Sequence, residues 1–319
     1  MMKILTGVLS LALLLFSAAT GLAQQKIKYA SAVKFAAVFY LPVLAAEEKG
    51  IFKKNGIDEE WFPARSGSDM QRDFAASAIQ IGSSIGSADV LAIARGVPVT
   101  IVANLQANDN FAVWVTTNSR FHAPQDLKGA KLGVSQLGGA EHAYGRLVAK
   151  RLGLANDVQY VGTGGIQESL AILVTGGIDG VVLTPAQMIN LKLQGKVRPL
   201  VEVEQYQPKP WVAYTITARK DFVQDQADTL RRVVGSILEA NRFIMSPEGK
   251  AWAIAKMKEE SKYSDEAAAA IYATLDLSRD GKIDPKAIKN LTDFMIEYDL
   301  LKANEVPPAA SIFTDAAVR

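Results

Sequence analysis

Asp126-Leu127-Lys128-Gly129-Ala130-Lys131-Leu132-Gly133-Val134, continued by Ser135-Gln136-Leu137-Gly138-Gly139-Ala140, carries a polar turn, a short apolar strand and a glycine-rich loop opening a helix. Residues 131–134 read as the strand and 140–152 as the helix, so the loop lies at the strand's carboxyl end. The same unit recurs downstream: strand 158–161, helix 166–175, strand 180–183, helix 185–193 and strand 197–200. Short strands alternating with helices indicate a mostly parallel sheet covered by helices.

A similar α/β unit precedes it. Residues 27–32 read as a strand, Pro42 sits in the first turn of a helix running over 43–49 to Gly50, and 57–62 is a second strand. Helix 66–78, a very short strand 79–81, helix 88–95 and strand 99–103 follow. The stretches 111–117 and 211–218 alternate in character and read as strands where the chain crosses between units. Beyond them come only helices, at 222–245, 249–260, 265–276 and 285–300, with apolar stripes but no strands to cover. They are expected to pack back on the first sheet. The fold class is therefore α/β, with lobe 1 at 24–113 and 215–319, lobe 2 at 114–214, and a two-strand hinge.

The 319 residues include 35 Lys+Arg, 33 Asp+Glu, two histidines (His122 and His142) and no cysteine. Thiol nucleophiles, Cys-ligated zinc, iron–sulfur clusters and disulfides are thereby excluded, and a His-rich metal centre has too few ligands. The near-neutral charge gives no footprint for nucleic acid. No cofactor is expected. At the amino end, Lys3 precedes an apolar run over 4–16, followed by Gly21-Leu22-Ala23 and polar Gln24. This reads as a signal peptide, 1–23, cleaved after about Ala23, since spanning a bilayer takes roughly 20 apolar residues. An exported, periplasmic protein is expected.

The string Leu41-Pro42-Val43-Leu44-Ala45-Ala46-Glu47-Glu48-Lys49-Gly50-Ile51-Phe52-Lys53-Lys54-Asn55-Gly56-Ile57, with the Asp126 to Val134 stretch, residues 172–182 and Ala218-Arg219-Lys220-Asp221-Phe222, resembles substrate-binding proteins of bacterial ABC importers. The resemblance is to the branch of sulfonate, nitrate, taurine and thiamine-precursor (NMT1/THI5-like) binders and covers nearly the whole chain after the leader. It implies a type II periplasmic-binding fold of two lobes, a small-molecule ligand in the cleft, closure about the hinge, a monomer, and a membrane permease as partner.

Physics supplies the candidate contacts. Helix N-termini at strand carboxyl ends present open amides and about half a positive charge, so two facing lobes can hold an anion without a basic cluster. In lobe 1, Phe39 and Tyr40 stand before the Pro42 helix and could stack on a planar ligand or pack in the core. Arg65, Ser66 and Ser68 follow the second strand, where an anion site and an ordinary N-cap are both open. Ser83 and Ser84 are expected in a tight loop offering hydroxyls. In lobe 2, Gly138 and Gly139 are expected to form the facing anion cradle, with His142 in the first helical turn. Glu141, beside it, must face solvent or a ligand carrying donors. Thr184, before Pro185, is an N-cap at the strand's end, and Trp211 fits a cleft wall or hinge packing equally.

Three motifs imitate other chemistry. Gly82-Ser83-Ser84-Ile85-Gly86 matches the G-x-S-x-G nucleophile elbow, yet the chain after His142 holds no histidine to complete a triad. Gly162-Thr163-Gly164-Gly165 lacks the Lys-Ser/Thr ending of a P-loop. The Asp276 to Asp284 run imitates a calcium loop but has Ala287 where a bidentate Glu belongs. The expected activity is solute capture without catalysis. The competing readings are an exported serine hydrolase using Ser84, a lyase using Glu141, or a ligand-sensing receptor subunit.

Overall fold

Two five-stranded sheets, each with a single reversed strand, organise the chain in the computed structural model, which describes residues 24–32, 36–64 and 67–318. The first lobe opens with β1 (Gln25–Ser31), α1 (Ala37–Glu48), α2 (Ile51–Lys54), β2 (Ile57–Pro63), α3 (Gly67–Ala75), β3 (Ile81–Ile85), α4 (Gly86–Ala94) and β4 (Val99–Gln106). The chain then crosses into β5 (Ala112–Thr116), β6 (Lys131–Val134), α5 (Ala140–Arg151), β7 (Gln159–Gly162), α6 (Ile166–Val174), β8 (Gly180–Leu183), α7 (Pro185–Leu193) and β9 (Val197–Glu202). It returns as β10 (Tyr214–Arg219) and ends in α8 (Lys220–Asp225), α9 (Ala227–Ile244), α10 (Pro247–Ser261), α11 (Asp265–Tyr272), α12 (Pro285–Glu297) and α13 (Ala309–Ile312). The signal-peptide expectation, 1–23, lies outside the described residues, and so do Arg65 and Ser66. No helix among the described residues is long and apolar enough to cross a membrane.

The strand order is β2-β1-β3-β10-β4 in one sheet and β7-β6-β8-β5-β9 in the other. β1, β2 and β3 are parallel, as are β6, β7 and β8; β10 and β5 run against their neighbours. Each reversed strand is the first one laid down after a crossing. The α/β two-lobed class is thus the observed one. β5 takes in Ala112 and Val113 and β10 takes in Tyr214, which the expected lobe limits assign to the opposite side.

Helical periodicity fixes which faces are buried. In α9, Leu230, Val233, Val234 and Ile237 share one face, and in α12 Ile288, Leu291, Phe294 and Met295 do the same. Starts are capped where the sequence offers it: Ser246 accepts from the Gly249 amide, Ser264 from that of Ala267, and Asp284, before Pro285, from that of Lys286. The expected single helix over 222–245 is two, because Gln226 (φ −132°, ψ 41°) leaves helical geometry. Nor do all the late helices return to the first sheet: α11 packs against α7, and the end of α12 is bonded to α5.

Candidate functional site

Strand direction decides where a ligand can be held. Tyr214 pairs with both Ile85 and Gln106, so the carboxyl ends of β3 and β4 lie beside the crossings. Ala112 pairs with Leu183, so that of β8 lies there from the other side. The starts of α4, α5 and α7 therefore converge on one interlobe region, the geometry that favours anions and polar groups.

In the second lobe the loop after β6 is tied to its own helix. Gly138 has φ +80°, which favours glycine. Its amide donates to His142 Nδ1 at 2.9 Å, and the Ser135 amide and hydroxyl donate to the Glu141 carboxylate at 2.5 and 3.1 Å. The half-buried Glu141 thus turns back onto its own loop. Three amides of this loop, those of Ser135, Gly138 and Gly139, are already bonded, the last to Gln136 O at 3.2 Å. What remains are the amides of Ala140, Glu141 and His142, which the first turn of any helix leaves open. Accepting at Nδ1 makes neutral His142 a donor at Nε2. Burial, assisted by the Arg146 cation, holds His142 below the usual histidine value. Its ring meets Tyr160 edge-on at 4.8 Å.

Thr184 caps α7 as expected of a residue before Pro185. Its amide and hydroxyl both donate to Gln187 Oε1, at 2.8 and 3.0 Å, which leaves the half-buried Thr184 oxygen as an acceptor.

Four expectations from the first lobe are corrected. Helix α1 begins at Ala37, so Phe39 and Tyr40 lie inside it, with Pro42 as its sixth residue. Both rings are core: Phe39 meets Tyr214 edge-on at 5.4 Å, and Tyr40 lies 3.3 Å from Ser261 Oγ through its hydroxyl. Ser83 and Ser84 occupy no loop. They are buried within β3, paired with Ile216 and Thr215, and their hydroxyls have no hydrogen-bond partner among the described residues. A nucleophile elbow needs its serine on the turn, and the turn here falls one residue later, at Ile85. Ser68 lies in α3, and its side chain is outside the described set.

Behind Ser84, Asp89 of α4 is fully buried and accepts from Thr215 (2.5 Å), Thr217 (2.6 Å) and Gln71 (2.9 Å). Burial, opposed by these bonds, pushes its pKa up to about 6. Three elements, α3, α4 and β10, are hydrogen-bonded there, which fixes the corner from which α4 starts.

The crossings hold the residue that sequence reading missed. Asp109, on the first crossing, accepts through Oδ2 from Trp211 Nε1 (2.8 Å) and Gln207 Nε2 (3.1 Å) on the second, and from the Tyr144 hydroxyl of α5. Trp211 is therefore hinge packing, edge-on to Phe294 at 5.4 Å. Burial raises the Asp109 pKa although its three donors oppose the shift. The signal available in sequence is the polar triplet Asn108-Asp109-Asn110 between two apolar strands. Nearby, Arg146 of α5 donates to Tyr298 O at 3.0 Å and Asp299 at 2.9 Å, and Lys150 reaches Glu297 at 2.5 Å, so α5 is strapped to the end of α12.

A family model described as NMT1/THI5 like matches residues 39–250, which include both crossings and every element of the second lobe. The chain belongs to the NMT1/THI5-like family. A Haemophilus influenzae relative named for thiamine biosynthesis is 25% identical over 214 residues, 66% of this chain and 66% of that one. The alignment thus spans just under two thirds of that relative. Among solved structures, the periplasmic aliphatic sulphonate binding protein SsuA from Escherichia coli superposes with a TM-score of 0.77 at 15% identity, covering 91% of this chain and 92% of that one. The periplasmic nitrate-binding protein NrtA from Synechocystis gives 0.69 at 14% identity, covering 92% and 87%. At such identities the likeness is one of fold, and it makes the two-lobed arrangement of this NMT1/THI5-like chain the periplasmic-binding one.

Proposed function

We propose that this NMT1/THI5-like chain is the exported solute-binding component of an ABC importer, closing its lobes on a small polar or anionic organic solute in the periplasm. It delivers that solute unchanged to a membrane permease. The observation that carries this reading is the convergence of α4, α5 and α7 starts on the region between the lobes, beside two crossings that act as the hinge. The names of the sulphonate- and nitrate-binding neighbours point to the same solute classes. In the second lobe, Gly138 and Gly139 shape the loop, His142 offers Nε2–H, Thr184 offers an acceptor, and the open amides of α5 take the solute's oxygens. A serine hydrolase is disfavoured by the placement of Ser84 within β3.

The test is a thermal-shift screen of sulfonates, carboxylates, nitrate and pyrimidines, followed by small-angle scattering. A binder raises the melting temperature and compacts the protein; a screen with no shift at millimolar solute counts against the reading.

A further inference from the structure

A cavity of about 420 Å³ lies against the crossings; it shares Pro185, Ile189 and Lys192 with α7, and none of its lining lies on the segments that follow β1, β2, β3, β6 and β7. Its volume falls in the range of small-molecule sites. Asn108, Asp109 and Asn110 of the first crossing form part of it, Trp114 and Ile189 line it from the second lobe, and Ile271 and Leu275 from the first. Glu202, Glu204 and Asp276 add carboxylates, against Lys192 as the cation in the lining.

Its polar inventory is one-sided. Asp109 is 1% exposed, and its Oδ1, the oxygen not used by Trp211, Gln207 and Tyr144, has no partner among the described residues. Asn110 Oδ1 is buried in the same state. Both orphans are acceptors. Glu204 has Lys209 at 3.0 Å, Glu202 accepts from Gln205 at 3.2 Å, and Asp276 from Asn108 at 3.4 Å, so each rim carboxylate keeps acceptor capacity. Aromatic and aliphatic walls with a surplus of acceptors select an apolar body ending in a cationic donor.

We infer that this cavity is a further ligand site, taking a small aralkyl ammonium ion whose apolar body lies along Trp114 and Ile271 and whose ammonium group donates to the remaining acceptor capacity of the rim carboxylates Glu202, Glu204 and Asp276. Because the walls belong to different lobes, an occupant biases the angle between them, and linkage makes its binding sensitive to closure on any solute in the cleft.

2-Phenylethylammonium, titrated by calorimetry against the full chain and compared with neutral 2-phenylethanol, tests the assignment. Saturable one-to-one binding is expected, at least about tenfold tighter for the cation, an increment of about 1.4 kcal/mol. Glu202→Gln with Glu204→Gln should weaken it about fivefold or more, and Ala270→Phe, which fills the cavity, should abolish it; rim substitutions at these solvent-reached positions leave the fold intact. No saturation, equal affinity for the alcohol, or binding that survives Ala270→Phe would each overturn it. None of these measurements needs a cleft solute, so their failure is distinguishable from failure of the transport reading.

Discussion

Trp211 Nε1 donates to Asp109 Oδ2 across 2.8 Å, a bond from the second crossing to the first. Tyr144 brings α5 of the second lobe to the same oxygen, and Phe294 of α12 stacks on Tyr144 at 5.2 Å and meets Trp211 edge-on. One carboxylate thus joins both crossings to the helix whose start faces the cleft. The two crossings and the helix that carries the Gly138 loop are thereby held at one oxygen.

Removing that acceptor strands three buried donors. Asp109→Ala is expected to lower the unfolding free energy by about 3 kcal/mol, whereas Asp109→Asn, which keeps an oxygen, costs less. Urea denaturation of the two variants measures this. An alanine variant as stable as the parent would sink the idea.

Asp89 gives a pH signature. Its folded pKa of about 6 stands above the ordinary 3.8, so its contribution to stability is full below the unfolded value and declines as pH rises through about 6. The shift corresponds to a decline on the order of 3 kcal/mol. Asp89→Asn keeps an oxygen for Thr215 and Thr217, and rotation of the Gln71 amide, whose Oε1 has no partner among the described residues, accommodates the new donor. The variant should therefore gain on the parent between about pH 4 and 6 and hold that gain above. Melts across pH 4 to 8 check it; a difference independent of pH would refute it.

The core assignment of α1 predicts a different behaviour. Phe39 is buried against Tyr214, so Phe39→Ala should cost about 3–5 kcal/mol, while leaving the rank order of solutes in a binding screen unchanged. A stable variant with altered solute preference would return Phe39 to the cleft.

Elements whose local pattern agrees with their setting were legible: 131–134, 180–183 and 185–193 carry the same limits in sequence and structure. The misreadings come from residues whose reason lies elsewhere in the chain. Gly82 and Gly86 suggested a turn, but a Cβ at Gly82 would sit 2.6 Å from Ala30 O, and one at Gly86 3.2 Å from Val212 O. Close packing, not turning, demands glycine at 82, and Gly86 is tightly packed as well. Pro42 looked like a helix start because proline suits a first turn, yet five preceding residues are held helical by burial in the core. The break at Gln226 has no Gly or Pro to announce it. Spacing placed the helix start at Ala140, but which way Glu141 and His142 would turn was invisible to it.

That turn back toward the loop sets the last expectation. Glu141 and His142 hold the Ser135 and Gly138 amides, so they shape the loop that the proposed site depends on. His142 has a folded pKa below its ordinary value, chiefly through burial. Its contribution is therefore intact above the unfolded value and is lost as pH falls through the folded one. Protonation would also turn Nδ1 into a donor facing the Gly138 N–H, breaking that bond. Solute affinity should accordingly be flat at neutral pH and above and fall in acid, as His142 takes up its proton below the ordinary histidine value. His142→Asn, whose side-chain oxygen can still accept from Gly138, should bind without that acid limb, and Glu141→Ala should weaken binding about tenfold at every pH by freeing Ser135. Isothermal titration of a solute found in the screen, from pH 5 to 8, distinguishes these outcomes. An acid limb that persists in His142→Asn would assign the titration to another group and remove His142 from the site.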